Sequence, residues 1–159
     1  MKLLYFSGTY CPSIGGAEIS AHSLLKRLQK EQGLEIKVLT DKKYSKEKTK
    51  HTYDELEVIG TTHELREHTL KSVLDSYKPD FLLTQLLWSD VGLKISMEQN
   101  VKSILRVCKI PFNLNITKNS PYSPSKIMVV SEPVKEYVFA NWGRTSYISK
   151  PIIEINRSS

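Results

Sequence analysis

The chain has 159 residues, the size of one domain, and a domain near this length buries roughly 70% of the surface its unfolded chain exposes. With 40% apolar and 25% charged residues the composition is that of an ordinary globular protein, which excludes intrinsic disorder. Lys plus Arg number 23 against 17 Asp plus Glu, and the net charge of +6 favours polyanions, phosphorylated ligands or an anionic membrane surface without choosing among them.

Lys2 to Phe6 is a short apolar run closed by Ser7-Gly8 and predicts a strand; the run is too short to be the apolar stretch of a signal peptide. Ala17, Ala21, Leu24, Leu25 and Leu28 then fall at helical spacing, with Glu18, His22, Lys26 and Gln29 on the other side. Leu34 to Thr40 alternates with period two and is closed by Asp41, giving strand, helix, strand. The pattern repeats with a strand at Leu56 to Ile59 and a helix whose apolar positions are Leu65, Thr69, Val73, Leu74 and Tyr77, opened by a capping box at Thr61-Thr62-His63-Glu64.

Phe81 to Thr84 reads as a buried strand, Val91 to Met97 as a short helix capped by Ser89, and Ser103 to Cys108 and Ile127 to Val130 as further strands. The uncharged stretch Phe81 to Ser89 falls far short of the roughly 18 residues that a membrane span needs, so a soluble, cytoplasmic protein is expected. Pro133 in a first turn, followed by Val134, Tyr137 and Val138, predicts a helix ending near Asn141 to Gly143, and Tyr147-Ile148 a last strand. Two segments interrupt the alternation, the lysine-rich Asp41 to Tyr53 and the Pro-, Asn- and Ser-rich Asn113 to Ser125; both are expected to be surface loops.

Strands alternating with helices at this spacing call for an α/β architecture of three layers, a parallel sheet with helices on both faces, and for ligands at the carboxyl ends of the strands. There is no internal repeat. The one domain boundary falls at the end, where Lys150-Pro151 opens an irregular tail, so residues 1–150 are expected to form the domain and 151–159 to begin a linker.

The most informative residues connect the first strand to the first helix: Ser7-Gly8-Thr9-Tyr10-Cys11-Pro12-Ser13-Ile14-Gly15-Gly16-Ala17-Glu18. Without a Cβ at Gly15 and Gly16 a ligand can reach the backbone, and the helix behind them points unpaired N–H groups and its positive dipole end at that spot, as a phosphate requires. The plain alternative is a tight turn into a helix. A Walker loop is excluded because no Gly-Lys-Ser/Thr follows, and the three-glycine spacing of a dinucleotide fingerprint is missing. Asp41, at the end of the second strand, is either a ribose-binding acid or simply the strand's end.

Pro12-Ser13-Ile14-Gly15-Gly16-Ala17-Glu18, the Leu-rich helix after it, and Glu35-Ile36-Lys37-Val38-Leu39-Thr40 together resemble the N-terminal domain of group 1 (family 4) glycosyltransferases of the GT-B fold. Lys78-Pro79-Asp80-Phe81-Leu82-Leu83 and Ser125-Lys126-Ile127-Met128-Val129-Val130-Ser131-Glu132 extend the resemblance over roughly residues 1–152. It implies a Rossmann-like domain, the N-terminal half of a GT-B fold, whose glycine loop lines the cleft near the donor diphosphate and the acceptor. Gly15, Gly16 and Glu18 take that place here.

The resemblance further implies transfer of a sugar from a nucleotide-sugar donor to the hydroxyl of a carbohydrate or glycolipid acceptor, in the synthesis of a surface polysaccharide or glycolipid. Nothing in the chain is left over for the family's C-terminal donor-binding domain, so the chain alone is expected to be inactive. Where many members have a histidine at the cleft, this chain has Thr84-Gln85-Leu86-Leu87-Trp88-Ser89-Asp90, and Lys150-Pro151-Ile152-Ile153 replaces the family's Asn-Pro-x-Asp turn.

Other residues carry candidate roles. Gln85 and Trp88 follow a strand at its carboxyl end, where a sugar could stack on the indole and bond to the amide, although Trp88 equally suits a core. Arg106 and Lys109 flank the end of another strand and offer positive charge to a phosphate or anionic acceptor; an ion pair of Arg106 with Asp80 or Asp90 is the alternative. Lys42, Lys43, Lys46, Lys48 and Lys50 crowd one loop, which reads as a solvated loop or as a contact with an anionic membrane.

The two cysteines, Cys11 and Cys108, are expected to be free thiols. His22, His51, His63 and His68 make no zinc spacing and are expected on the surface, so neither a metal nor a cofactor is expected beside the nucleotide-sugar co-substrate. Hydrolase chemistry has no support from a Gly-x-Ser-x-Gly elbow or a nearby Cys-His pair. Asn115-Ile116-Thr117 and Asn156-Arg157-Ser158 are formal acceptor triplets that, with no signal peptide expected, are expected to be chance.

The first rival reading is a non-catalytic Rossmann-like binding module, or one subunit of a split transferase. Nucleic-acid binding rests on charge alone and comes last, since the lysine loop has tyrosines only near its ends.

Overall fold

The computed structural model describes residues 1–12, 15–108 and 121–148. In chain order these form β1 (Lys2–Phe6), α1 (Gly16–Gln32), β2 (Glu35–Asp41), a 3₁₀ turn (Lys42–Tyr44), β3 (Lys50–Tyr53), β4 (Leu56–Thr61), α2 (Arg66–Tyr77), β5 (Phe81–Thr84), α3 (Ser89–Glu98), β6 (Lys102–Val107), β7 (Lys126–Val129), α4 (Glu132–Trp142) and β8 (Tyr147–Ile148). The strands make one sheet in the order β3-β4-β2-β1-β5-β6-β7-β8. Every pairing is parallel except β3 with β4.

The pleat of β1 divides the core. Leu3 and Tyr5 point to the side of α1, where they pack with Ala21, Leu24, Leu25, Ile36, Val38 and Leu83. Leu4 and Phe6 point the other way, onto Leu70, Val73 and Leu74 of α2 and Val91 and Ile95 of α3. Because β1 is hydrogen-bonded on both edges and covered on both faces, its four residues Leu3 to Phe6 are 0–4% exposed and read as one continuous apolar run. Burial of each such side chain is worth roughly 1.5–3 kcal/mol. The α4 residues Val134 and Val138 close a third cluster with Leu105, Val107, Ile127 and Val129 at the other end of the sheet.

Helix ends follow local chemistry. α1 stops at Gly33, whose φ of 65° suits a residue without Cβ and whose N–H bonds to the Leu28 carbonyl. α4 stops the same way at Gly143, φ 71°, and carries Pro133 in its first turn.

Three expectations need correction. Asp41 to Tyr53 is not all loop: it contains the 3₁₀ turn and the edge strand β3, joined to β4 by a two-residue turn in which Asp54 and Glu55 both have positive φ, 50° and 69°. That backbone is the one a tight hairpin demands, reached here without the usual Asn-Gly signal. The start of α2 is also shifted: Thr62, not Thr61, accepts from a backbone N–H, that of Leu65 at 3.2 Å, while Thr61 Oγ1 bonds to Thr69 Oγ1 at 2.7 Å. Leu65 precedes the helix and is exposed rather than part of its apolar face. Finally, α3 begins at Ser89 itself, whose hydroxyl donates back to the Leu86 carbonyl at 2.8 Å instead of capping the helix. Most of Asn113 to Ser125, and the linker from Lys150, lie outside the described residues.

Candidate functional site

Parallel strands β1, β5 and β6 end side by side, and α1 begins above their carboxyl ends. Gly15 precedes the helix with extended backbone, φ −69° and ψ 139°, and has no side chain with which to cap it. Among the described residues, and leaving aside its chain neighbours and the helix's own backbone, no atom lies within 4 Å of where a Cβ on Gly16 would stand. A Cβ on Gly15 would instead stand 2.2 Å from Glu18 Oε2, so the Glu18 carboxylate lies folded against the start of its own helix. An acid three residues into a helix is drawn there by the unpaired N–H groups and the dipole.

Beneath α1 a polar network ties four segments together. Ser7, just after β1, donates its hydroxyl to the Gln85 carbonyl at 3.1 Å. The Gln85 amide, just after β5, donates to the Ala17 carbonyl in the first turn of α1 at 3.1 Å. Its oxygen accepts from Arg106 Nη1 at 2.7 Å and from the Cys108 thiol at 3.4 Å. Arg106 Nη2 donates to Ser20 Oγ on α1, and Nη1 also reaches Cys108 Sγ at 3.4 Å. Gln85 is 0% and Arg106 2% exposed, so neither side chain is open to a ligand in this arrangement. Their role is to hold the amino end of α1 on the sheet.

The ion pair considered for Arg106 is not found among the described residues: its partners are a neutral amide, a hydroxyl and a thiol, and its Nε is buried without a hydrogen bond.

Trp88 is set apart from this group. Its indole is 8% exposed, lies 5.7 Å from the Phe6 ring on the opposite face of the sheet, and fills the space beside Gly8. Of the two roles open to Trp88, sugar stacking and core, its burial against Phe6 fits the core. Gly8 is the glycine that this packing requires, because a Cβ there would stand 2.9 Å from Leu87 Cβ and 3.2 Å from the indole. The segment between is bent by positive φ at Leu86 (54°) and Trp88 (73°), a conformation that non-glycine residues adopt only where the surroundings enforce it. Asp41 resolves to a local role, its carboxylate accepting from Lys43 N at 3.1 Å to cap the 3₁₀ turn. Lys109 lies outside the described residues.

A second polar group escaped the sequence reading. His22, expected on the surface, has a side chain only 14% exposed and bridges two partners, the Tyr10 hydroxyl through Nδ1 and Asp54 Oδ2 through Nε2 at 2.8 Å. A neutral ring with its proton on Nε2 satisfies both: it accepts from the buried tyrosine and donates to the carboxylate. Lys26, one turn on, donates to the Asp54 carbonyl at 2.6 Å. The loop leading to the glycines is thereby fastened to α1 and to the β3–β4 turn. Burial pushes the Tyr10 hydroxyl well above its ordinary pKa, and the bond from His22 holds the Asp54 carboxyl below its own. Only the four-residue spacing of His22 and Lys26 hinted at a shared surface.

His51 is also partly buried, its Nδ1 3.1 Å from Ser45 Oγ, and desolvation followed by Lys46 and Lys48 lowers its pKa. His63 and His68 are exposed, as are Lys43, Lys46, Lys48 and Lys50. Among the described residues no three His, Cys, Asp or Glu side chains gather to hold a metal ion, and no helix is long and apolar enough to cross a membrane.

The sequence matches no protein-family model and no curated protein. Its fold does have counterparts among solved structures. UDP-GlcNAc 2-epimerase from Methanocaldococcus jannaschii superposes with a TM-score of 0.53 at 18% identity, over 89% of this chain and 42% of the epimerase chain. Arabidopsis thaliana UGT89C1, solved in complex with UDP, superposes with a TM-score of 0.57 at 12% identity, over 95% of this chain and 49% of its own. The chain thus spans less than half the length of either protein. At these identities the likeness is one of fold: the chain is an α/β, Rossmann-like domain of the GT-B kind.

Proposed function

We propose that this chain is the N-terminal, acceptor-side domain of a glycosyltransferase that moves a sugar from a nucleotide-sugar donor to an acceptor hydroxyl, with the donor-binding half supplied by a further domain or a partner chain. The observation that carries the reading is the open backbone at Gly16, on the amino end of α1 above the carboxyl ends of β1, β5 and β6. Open parallel sheets bind ligands at that edge. A nucleoside diphosphate leaving a sugar gathers negative charge, and a helix amino end fixed in place by a buried network stabilises that charge without reorganising. The buried Arg106 adds positive potential from below.

The likeness to a UDP-GlcNAc 2-epimerase and to a protein solved with UDP supports a sugar nucleotide as the ligand class. Assignment to family 4, with polysaccharide or glycolipid as the product, rests on the Pro-x-x-Gly-Gly-x-Glu stretch from Pro12 to Glu18. The exposed lysines between Lys43 and Lys50 suit an anionic membrane bearing a lipid acceptor.

The test is release of nucleoside diphosphate from a panel of UDP-, GDP- and ADP-sugars, by the chain alone and by the full reading frame or co-purified complex that contains it. Release by the larger assembly only is expected. Release by neither, with every donor tried, overturns the reading.

A further inference from the structure

Residues 42–50 hold five lysines, Lys42, Lys43, Lys46, Lys48 and Lys50, against the single acid Glu47. Topology puts this stretch on the edge where open parallel sheets bind ligands. β2 and β4 run parallel with Asp41 beside Thr61, the stretch starts where β2 ends, and β3 returns antiparallel with Lys50 beside Ile59. The lysines are thus gathered at the carboxyl ends of β2 and β4. Only β2 separates β4 from β1, so the end of β4 stands about 10 Å from the end of β1, where the glycine loop begins.

The backbone that carries them is a built turn. The Asp41 carboxylate accepts from Lys43 N at 3.1 Å, the N–H groups of Ser45 and Glu47 both donate to the Lys42 carbonyl at 2.8 and 2.9 Å, and Gly60 N donates to the Thr49 carbonyl at 3.0 Å. Ser45 is fully buried, its Oγ 3.1 Å from His51 Nδ1. Gly60 admits this backbone: a Cβ there would collide with the Lys48 carbonyl oxygen and stand 2.9 Å from Ser45 Cβ. Lys46 and Glu47 hold positive φ, 51° and 58°, which such residues adopt only where the surroundings enforce it. On this fixed turn Lys43, Lys46, Lys48 and Lys50 are exposed. Among the described residues Lys50 reaches Glu57 at 3.6 Å, and no ion pair is found for Lys42, Lys43, Lys46 or Lys48.

Polyanions differ in what they need besides positive charge. A bilayer also takes up apolar side chains, and none of the exposed large hydrophobic residues falls within 42–50. Single-stranded nucleic acid stacks its bases on open rings, whereas Tyr44 and Tyr53 are partly buried and packed against the core. A glycan bearing carboxylate or phosphate groups needs the charge alone. We propose that residues 42–50 form a subsite for an anionic acceptor, a glycan chain whose negative groups lie along the lysines while its terminal hydroxyl reaches the cleft. The acceptor role rests on the functional reading above; the binding of an anionic glycan by these lysines is a separate claim.

Octagalacturonate, a chain of carboxylate sugars, titrated calorimetrically into the protein at low salt beside the uncharged maltooctaose, tests this. Two triple variants lose the same charge at different places: Lys43→Gln/Lys46→Gln/Lys48→Gln at the subsite, and Lys30→Gln/Lys78→Gln/Lys102→Gln at the opposite, amino edge of the sheet. Every lysine replaced is exposed, and thermal unfolding confirms that each variant is folded. The wild type is expected to bind octagalacturonate saturably and to leave maltooctaose unbound. The subsite triple is expected to bind at least about tenfold more weakly, as the loss of three exposed charge pairs allows, and the opposite-edge triple to bind like the wild type. Equal affinities in the two folded triples, equal binding of maltooctaose, or no binding of octagalacturonate by the wild type overturns the proposal. If the wild type instead sediments with vesicles of one part phosphatidylglycerol to three parts phosphatidylcholine and leaves octagalacturonate unbound, the lysines serve a bilayer and the proposal likewise falls. If octagalacturonate binding depends on the subsite lysines and no sugar nucleotide is ever turned over, the functional reading falls and the anionic-glycan surface stands. If turnover is seen and the two triples bind alike, the surface alone falls.

Discussion

Replacing Gly16 by Ala separates two reasons for a glycine at the start of α1. Gly16 lies in the helix, and among the described residues nothing beyond its chain neighbours and the helix's own backbone stands within 4 Å of the position a Cβ would take. The folded chain therefore gains no clash, and the unfolded chain loses conformational freedom, so stability should rise by about 0.4–1 kcal/mol. For a chain of this size that is roughly 1–4 °C in Tm. The measurement is chemical and thermal unfolding of both proteins, followed by far-UV circular dichroism. A ligand that lies against the backbone meets the new methyl group, so UDP binding should weaken while the fold tightens. A loss of more than about 1 kcal/mol on substitution, the usual sign of steric conflict, would refute the argument, because Gly16 would then be a packing glycine with no room left for a ligand.

Further outcomes follow from the same geometry. Gly8→Ala should destabilise by roughly 1–3 kcal/mol in denaturant unfolding, because its Cβ would stand 2.9 Å from Leu87 and 3.2 Å from the Trp88 ring. Arg106→Lys should cost about 1–3 kcal/mol in the same assay, since one ammonium cannot serve both Gln85 and Ser20 and leaves a buried acceptor unpaired. For Asp54→Asn the prediction is a pH profile. The carboxyl's pKa is lowered in the folded chain, chiefly by the bond from His22, so its contribution is present above the unfolded value near 3.8 and is lost as pH falls through the folded one. The stability gap between wild type and Asp54→Asn should thus be full at pH 6 and close in acid; a gap that does not change between pH 6 and pH 3 would show that the His22 contact is absent in solution.

The alternating order of strands and helices was legible because β1, β2, β5 and β6 are buried on both faces or alternate cleanly, and because α1 and α4 end at glycines. β3 was not, since an edge strand with one neighbour needs no apolar face and its turn is made by Asp54-Glu55 against local preference. Gly15, Gly16 and Glu18, on which the proposed site rests, lie together in sequence. Gln85, Arg106 and Ser20 come together only through the parallel register of β1, β5 and β6, so the residue types could be noted and the network could not. Trp88 shows the converse: its place after a strand suited an open ring or a core one, and the backbone that turns it to the core, with positive φ at Leu86 and Trp88, has no glycine to announce it. His22 was hidden because its partners lie 12 residues before and 32 residues after it.

The central claim is that a nucleoside diphosphate binds at the amino end of α1. It is tested most directly by titrating UDP into chain labelled with ¹⁵N at its 7 glycines alone. Saturable shifts are predicted at Gly15 and Gly16, with Gly33 and Gly143 unmoved at the far ends of α1 and α4. No shift at Gly15 and Gly16 at UDP concentrations up to several times about 1 mM, an affinity of only about −4 kcal/mol, would contradict the account.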